Sequence, residues 1–161
     1  MTSRIAILTS DLRRNYRSEL AFYQSYHRNT VNWSIHAISI PFEWFSSVLL
    51  LTVVHRYFHW AFCMLVAVYY VTLGTRMAVV CALCQLCMAQ LASIVAYKLQ
   101  SSVNAIVFMF AIIQLLSWTL QVWIGHRIFE QNRPAILDKF TYASVLLSPL
   151  LAWEILDSKQ I

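Results

Sequence analysis

Long apolar runs separated by short polar turns dominate this chain. The runs extend over about residues 33–54, 57–74, 77–97, 103–124 and 140–156. A membrane-spanning helix needs roughly 17 to 25 mostly apolar residues, so the first four runs predict spans, and the fifth, which contains Pro149, is marginal. Because the turns between the first four runs are very short, neighbouring helices are expected to be antiparallel.

A different pattern precedes the first run. Apolar residues recur there every three or four positions, with arginines between them, at Ile5, Leu8, Leu12, Tyr16, Leu20 and Tyr23. This spacing predicts an amphipathic helix that is capped near Thr9 or Ser10 and lies on the membrane interface. Packing of this helix against the core of the bundle is the alternative.

Composition supports the same fold class. Hydrophobic residues make up 60% of the 161 residues and charged residues 12%, which excludes an ordinary water-soluble domain. Two glycines cannot build a glycine-rich phosphate loop. We therefore predict one all-α domain over 1–161, a multi-pass bundle of four to five transmembrane helices (33–156) after an N-terminal interfacial amphipathic helix and loop (1–31).

The net charge of +5 is concentrated in two clusters. The clusters are Arg4, Arg13, Arg14, Arg17 and Arg28 near the start, and Arg127, Arg133 and Lys139 after the fourth run. Basic segments stay on the cytoplasmic side of membranes, and four crossings would return the second cluster to the side of the first. The charge thus indicates a lipid bilayer rather than nucleic acid as partner, and an oligomer is compatible with the pattern.

The five histidines divide between the two ends of the predicted bundle. His27, His36 and His126 fall near the cytoplasmic end, whereas His55 and His59 fall near the other end. About 30 Å of hydrocarbon separates the two groups, so they cannot share one metal ion.

His27 and His36 can converge only if the helix breaks between them. They are nine residues apart, which places them on opposite faces of an unbroken helix. Asn29 and Asn32 supply helix-capping side chains in this interval. We expect one helix to end near His27 and the first span to begin near Asn32.

A carboxylate accompanies the third histidine of the cytoplasmic group. Glu130 follows His126 by four residues, which places both on one helix face. Two or three imidazoles with one carboxylate form the ligand set of mononuclear non-haem Fe(II) oxygenases, and a polar packing cluster is the alternative. Glu43, an acid inside an apolar run, could hydrogen-bond near His36.

The cysteines offer a weaker metal signal. Cys81, Cys84 and Cys87 form a C-x-x-C-x-x-C pattern inside an apolar run, with no loop and no fourth thiol nearby. Iron–sulfur clusters need four ligands, so this arrangement favours small side chains that pack between helices.

Two groups of residues carry a resemblance to a known family. The first runs from Ser18 to His27 and continues with Asn29, Asn32, His36 and Pro41. The second comprises Trp118, Gln121, Gly125, His126, Phe129, Glu130, Arg133, Pro134, Ala135 and Asp138. Both are similar to motifs of the membrane-bound 2-hydroxy fatty acid dioxygenases, which act in alpha-oxidation of acids derived from phytosphingosine.

This resemblance implies an activity and a set of residue roles. The implied protein is a multi-pass enzyme of the endoplasmic reticulum, with its active site near the cytoplasmic face. It would use Fe(II) and O2 to shorten a 2-hydroxy long-chain fatty acid by one carbon, with release of CO2. The implied iron ligands are His27, His36 and His126. The remaining roles are predicted from residue chemistry rather than from the resemblance. Glu130 is a further catalytic candidate, and Asn32 and Glu43 would support the ligands, with a hydrogen-bonded structural acid as the alternative for Glu43. Arg133 or Arg28 would bind the substrate carboxylate, with contact to lipid headgroups as the alternative.

Two other functions remain open from the sequence. A non-enzymatic membrane scaffold or lipid-binding protein could use the histidines to hydrogen-bond helix ends. A small transporter could use them as a proton relay, although transporters prefer polar groups near the membrane centre rather than at one face.

Overall fold

The computed structural model describes residues 2–140 and 142–158, with side chains for 9–140 and 145–155. Within these residues the chain is helical and contains no strand. The α-helices are α1 (Thr2–Tyr26), α2 (Thr30–Val54), α3 (Phe58–Leu73), α4 (Arg76–Lys98), α5 (Val103–Trp118) and α6 (Tyr142–Ser158). A π-helix (Thr119–Glu130) continues α5, and a 3₁₀ turn (Ala135–Leu137) precedes α6.

Among the residues that the structure describes, three helical segments are long and apolar enough to cross a membrane. They are α2, α4, and α5 taken together with its π-helical continuation, over Val103–Glu130. Helix α3 has 16 residues and would extend only about 24 Å, less than the hydrocarbon core. Large apolar side chains such as Leu65 and Phe108 face outward, about 70% exposed. The predicted all-helical membrane fold is confirmed, and the number of crossings stays a prediction.

Helix α1 is amphipathic, as predicted, but its start was predicted wrongly. It begins at Thr2 rather than near Thr9 or Ser10. Its apolar face lies on α3, α4 and α6, where Tyr16 is 3% exposed, while the neighbouring Arg17 is exposed. The apolar face of α1 therefore contacts the helix bundle itself, which is the packing that the sequence left as the alternative.

The predicted break between α1 and α2 is present. Helix α1 ends at Tyr26, and Asn29 caps α2 because its side-chain oxygen accepts hydrogen bonds from the backbone N–H groups of Val31 (2.9 Å) and Asn32 (3.4 Å). Three residues, 27–29, separate the two helices. His27 lies in this linker, close to His36 of α2.

Small side chains on α4 allow the helices to approach closely. The buried face of α4 consists of Ala78, Cys81, Ala82, Gln85, Ala89, Ala92 and Ala96. Small residues bring helix backbones near one another in membranes, where packing replaces the hydrophobic effect. Of the three motif cysteines, Cys81 is buried in this contact, Cys84 is half-buried and Cys87 is exposed.

The end of the fourth apolar run differs from its prediction in one respect. The helix extends to Glu130 and stops before Arg133 and Pro134, as expected, but its last twelve residues are wound as a π-helix. A π-helix pairs each N–H with the carbonyl five residues earlier, as Gln131 does with His126. Such segments are rare and occur frequently at functional sites.

Candidate metal centre

Three histidines from three different segments meet in the interior. His27 lies in the α1–α2 linker, His36 in α2 and His126 in the π-helix, and all three are at most 5% exposed. Their ring centroids are separated by 4.4, 4.9 and 4.9 Å. One ring nitrogen from each lies within 4.8 Å of the other two, a grouping that could hold a metal ion.

Backbone carbonyls fix the tautomers of two of these rings. Nδ1 of His27 donates to the Tyr23 carbonyl at 2.8 Å, and Nδ1 of His36 donates to the Asn32 carbonyl at 2.9 Å. A carbonyl can only accept, so Nδ1 carries the hydrogen and Nε2 keeps a free lone pair. Metal-bound histidines use this same arrangement, in which the second ring nitrogen donates to a carbonyl or carboxylate.

Free nitrogens in the group are buried without hydrogen bonds. Nε2 of His27 and Nδ1 of His126 have no partner among the described residues. Unpaired buried polar atoms are rare in proteins and call for a physical explanation. A divalent ion that accepts these lone pairs would satisfy the nitrogens, so the residues present fit a metal ion.

Burial also keeps the His27 ring in its uncharged form. Removal of its ring from water is the main cause that lowers the pKa of His27 well below the ordinary value, and a positive charge on His36 would lower it further. The imidazole is thus neutral at physiological pH, which is the form that binds metals.

Tyr23 supports the group in two ways that the sequence analysis missed. Its carbonyl orients His27, and its ring stacks on that imidazole with the centroids 3.9 Å apart. The same ring meets His36 edge-on at 6.5 Å. The spacing of four residues between Tyr23 and His27 was the available signal, because residues four apart share a helix face.

Glu130 binds protein donors. Its carboxylate accepts from the backbone N–H groups of Arg28 and Asn29, both at 2.9 Å, and from the side-chain amide of Asn32 at 3.0 Å. These bonds join the end of the π-helix to the α1–α2 linker. Glu130 therefore holds the segments that carry the three histidines in register, and it is not one of the grouped ligand candidates.

Gly125 permits the close approach of the π-helix to α2. A Cβ atom at this position would lie 2.4 Å from Oδ1 of Asn32 and 3.5 Å from Cε1 of His36. No side chain fits in that space. The residue was noted only as part of a motif, although a glycine inside a helix is costly enough to signal a packing reason.

An apolar cavity of about 850 Å³ extends from the histidines into the bundle. On α2 its lining runs from His36 to Leu51, and fifteen residues of helix correspond to about 22 Å. Phenylalanines from α3 and α5, Phe58, Phe62 and Phe110, also line it. These dimensions suit a long acyl chain, because one leaflet of the hydrocarbon core is about 15 Å deep.

Glu43 lies within this cavity rather than against the histidine rings. Its carboxylate accepts a hydrogen bond from the Gln121 side chain at 3.1 Å, and both residues line the cavity. It forms none of the hydrogen bonds described for His36. A supporting role for Glu43 stays a prediction.

The two arginines predicted to bind substrate are not among the residues that line the cavity. Arg28 is exposed and contributes its backbone N–H to Glu130, while Arg133 pairs with Asp138 at 2.5 Å. Lys139 is the basic residue in the described lining, and the sequence analysis missed it. A substrate-binding role for either arginine stays a prediction.

The other two histidines are used differently. His59 is buried, and its Nε2 is 2.8 Å from the Ser93 hydroxyl, which also accepts from Trp60. His55 is the exposed C-cap of α2. Neither belongs to the grouped histidines, in agreement with the predicted division.

In a comparison with known proteins, the chain matches one family model. The family model described as "2-hydroxy-palmitic acid dioxygenase Mpo1-like" matches residues 13–160. The chain is 28% identical over 152 residues to the 2-hydroxy-palmitic acid dioxygenase MPO1 of Saccharomyces cerevisiae, covering 87% of this chain and 79% of the yeast protein. No solved structure matches the chain. The resemblance drawn from the two motifs is thereby confirmed.

Proposed function

We propose an activity that follows from the family of this chain, which belongs to the Mpo1-like 2-hydroxy-palmitic acid dioxygenases. The chain shortens 2-hydroxy long-chain fatty acids by one carbon, with Fe(II) and O2. The overall change converts R–CH(OH)–COOH and O2 into R–COOH, CO2 and water. Atoms balance, and the four electrons that reduce O2 come from the two carbons of the cleaved bond. The reaction therefore needs no separate reductant.

The observation that carries this proposal is the position of three buried imidazoles at the head of an apolar cavity. His27, His36 and His126 would hold the ion. When bound, Fe(II) would supply open coordination positions for O2 and for a 2-hydroxy acid, whose carboxylate and hydroxyl can chelate a metal. Tyr23 and Asn32 would keep the rings of His27 and His36 in the binding tautomer.

The cavity would bind the acyl chain and exclude water from it. Leu50, Leu51 and Phe62 offer apolar contacts below the histidines, and each buried methylene contributes roughly 0.8 kcal/mol. A long-chain acid would consequently bind with its polar head at the imidazoles and its tail along α2.

The distribution of charge supports a location for this reaction. Basic residues lie near the same end of the helices as the histidine group, which favours a multi-pass enzyme with its active site near the cytoplasmic face. The endoplasmic reticulum is the membrane implied by the family resemblance.

The test is turnover by the purified protein in lipid nanodiscs, loaded with Fe(II) under argon. We expect 2-hydroxypalmitate and O2 to be consumed one to one, with pentadecanoate and CO2 formed in equal amounts. His36→Ala should lose bound iron and lower turnover by orders of magnitude, whereas the matched control His59→Ala should retain both. Iron-loaded protein that is inert toward every 2-hydroxy acid would return the chain to a scaffold or lipid-binding role.

A further inference from the structure

A lysine lies at the cavity in addition to the histidine group. Lys139 is the only lysine or arginine among the described residues that line the cavity. Its ammonium lies 2.7 Å from Oε1 of Glu19 and 5.3 Å from the centre of the Phe22 ring. The Lys139 side chain is 35% exposed, whereas that of Glu19 is 10% exposed.

Lys139 lies beside an earlier part of α1 than the histidine group does. Its partner Glu19 precedes His27 by eight residues, which corresponds to about 12 Å along the axis of α1. The Lys139 ammonium and the His27 ring are therefore held at different turns of that helix. The cavity thus has two separate polar places, a cationic one beside α1 and α6 and the histidine group.

The surroundings of Lys139 open toward apolar surface. Phe140 and Val145, which follow it along the chain, also line the cavity and are 72% and 41% exposed. In the described part of the chain, α6 packs on α1, α2 and α4 but not closely on α5. The cavity is consequently accessible from the side where acyl chains of the bilayer would contact the protein.

We propose that Lys139 is the entry site of this cavity, where the carboxylate of a fatty acid leaving the bilayer first binds before its head reaches the histidines. The inference rests on the proposed function, because that function supplies the fatty acid as ligand. A fatty acid combines the two properties that the site matches, a single anionic head and an apolar tail.

The Glu19 ion pair makes this exchange feasible. An ammonium has three N–H donors, so Lys139 can bind a second carboxylate without first releasing Glu19. The Lys139 side chain is 35% exposed, so a second carboxylate can approach its ammonium while Glu19 stays bound. Contact with the Phe22 ring favours retention of the cation at this position while its partner changes.

Binding without turnover tests the proposal. Trp44 and Trp118 line the cavity, so a brominated ligand inside it should quench their fluorescence. The full chain in phosphatidylcholine nanodiscs would be titrated with dibromostearate and with the matching dibromo-octadecanol. The variant is Lys139→Met combined with Glu19→Gln, which removes both charges and leaves no buried acid unpaired.

We expect this double variant to bind the acid about tenfold more weakly and the alcohol as the wild type does, because only the acid loses a charge-assisted hydrogen bond. Lys139→Arg should retain the preference for the acid. Lys98→Met, at the end of α4 and outside the cavity lining, is the matched control and should change neither affinity.

Two results would overturn the proposal: unchanged affinity for the acid, or equal loss for acid and alcohol, which would indicate general damage to the cavity. Neither ligand carries a 2-hydroxyl group, so the outcome does not depend on turnover. Wild-type protein that prefers the acid through Lys139 but fails to consume 2-hydroxypalmitate would contradict the proposed function alone.

Discussion

At the scale of single residues, the same device orients two of the three histidines. His27 and His36 each donate Nδ1–H to the carbonyl four residues earlier. The Tyr23 carbonyl belongs to the last turn of α1, where carbonyls lack helical partners, so His27 satisfies a helix end and fixes its own tautomer in one bond. The free lone pair on Nε2 of His27 thus follows from where α1 ends.

Gly125 sets the contact between the π-helix and α2, and its replacement tests that contact. In Gly125→Ala the new Cβ would lie 2.4 Å from Oδ1 of Asn32, so the Asn32 side chain must shift and its hydrogen bond to Glu130 is disturbed. We expect the affinity for Co(II), followed by its visible absorption, to fall about 10- to 100-fold. The exposed Thr119→Ala change on the same helix is the control, and wild-type affinity in Gly125→Ala would contradict the packing argument.

Glu130 distinguishes a supporting acid from a metal ligand. Glu130→Gln keeps the shape but replaces one accepting oxygen by an N–H₂ group, which then faces the donors of Arg28, Asn29 or Asn32. We expect a loss of metal affinity of about 10- to 100-fold, measured by competition with a chelator. Complete loss of the ion, as in His36→Ala, would instead make Glu130 a ligand.

At the scale of helices, the sequence predicts the elements well because each depends on local chemistry. The apolar runs predict the apolar helices, and Asn29 predicts the break that lets His27 and His36 converge. The π-helix was not predictable, since hydrogen bonds to the fifth rather than the fourth preceding residue leave an apolar run unchanged in composition. The position of Lys139 at the cavity was not predictable for another reason. Whether a loop residue contacts the cavity depends on how α1, α2 and α6 pack together.

Helix α4 provides a prediction about its cysteines. Cys81 is buried among alanines and tyrosines, and Cys87 is exposed on another face, so we expect no shared metal ion. Replacement of Cys81, Cys84 and Cys87 together by alanine should leave the iron content unchanged in folded protein, measured by elemental analysis of the nanodisc sample. Loss of iron in a variant that keeps its helicity would show that the cysteines contribute to iron binding.

At the scale of the whole molecule, the histidine group lies at one end of the helices, and the cavity runs from that end along α2. The histidine group forms where the α1–α2 linker meets the end of the π-helix, and the cavity extends from it along α2 toward the hairpin that carries Arg56 and Tyr57. The ends of α2 and of the α5 segment that meet at the group are joined by Glu130. A single site is possible only if both ends lie on one side of the bilayer.

The sidedness of three exposed positions tests this arrangement. In a protein whose four cysteines are replaced by alanine, Asn15→Cys, Asn132→Cys and Arg56→Cys each place one thiol at an exposed position. In sealed microsomes, a membrane-impermeant maleimide should label the first two from the cytoplasmic side. Arg56→Cys should react only after permeabilisation, because one crossing by α2 separates it from Asn15. Opposite sidedness of Asn15 and Asn132 would separate His27 from His126 by the hydrocarbon core and remove the basis for a common metal centre.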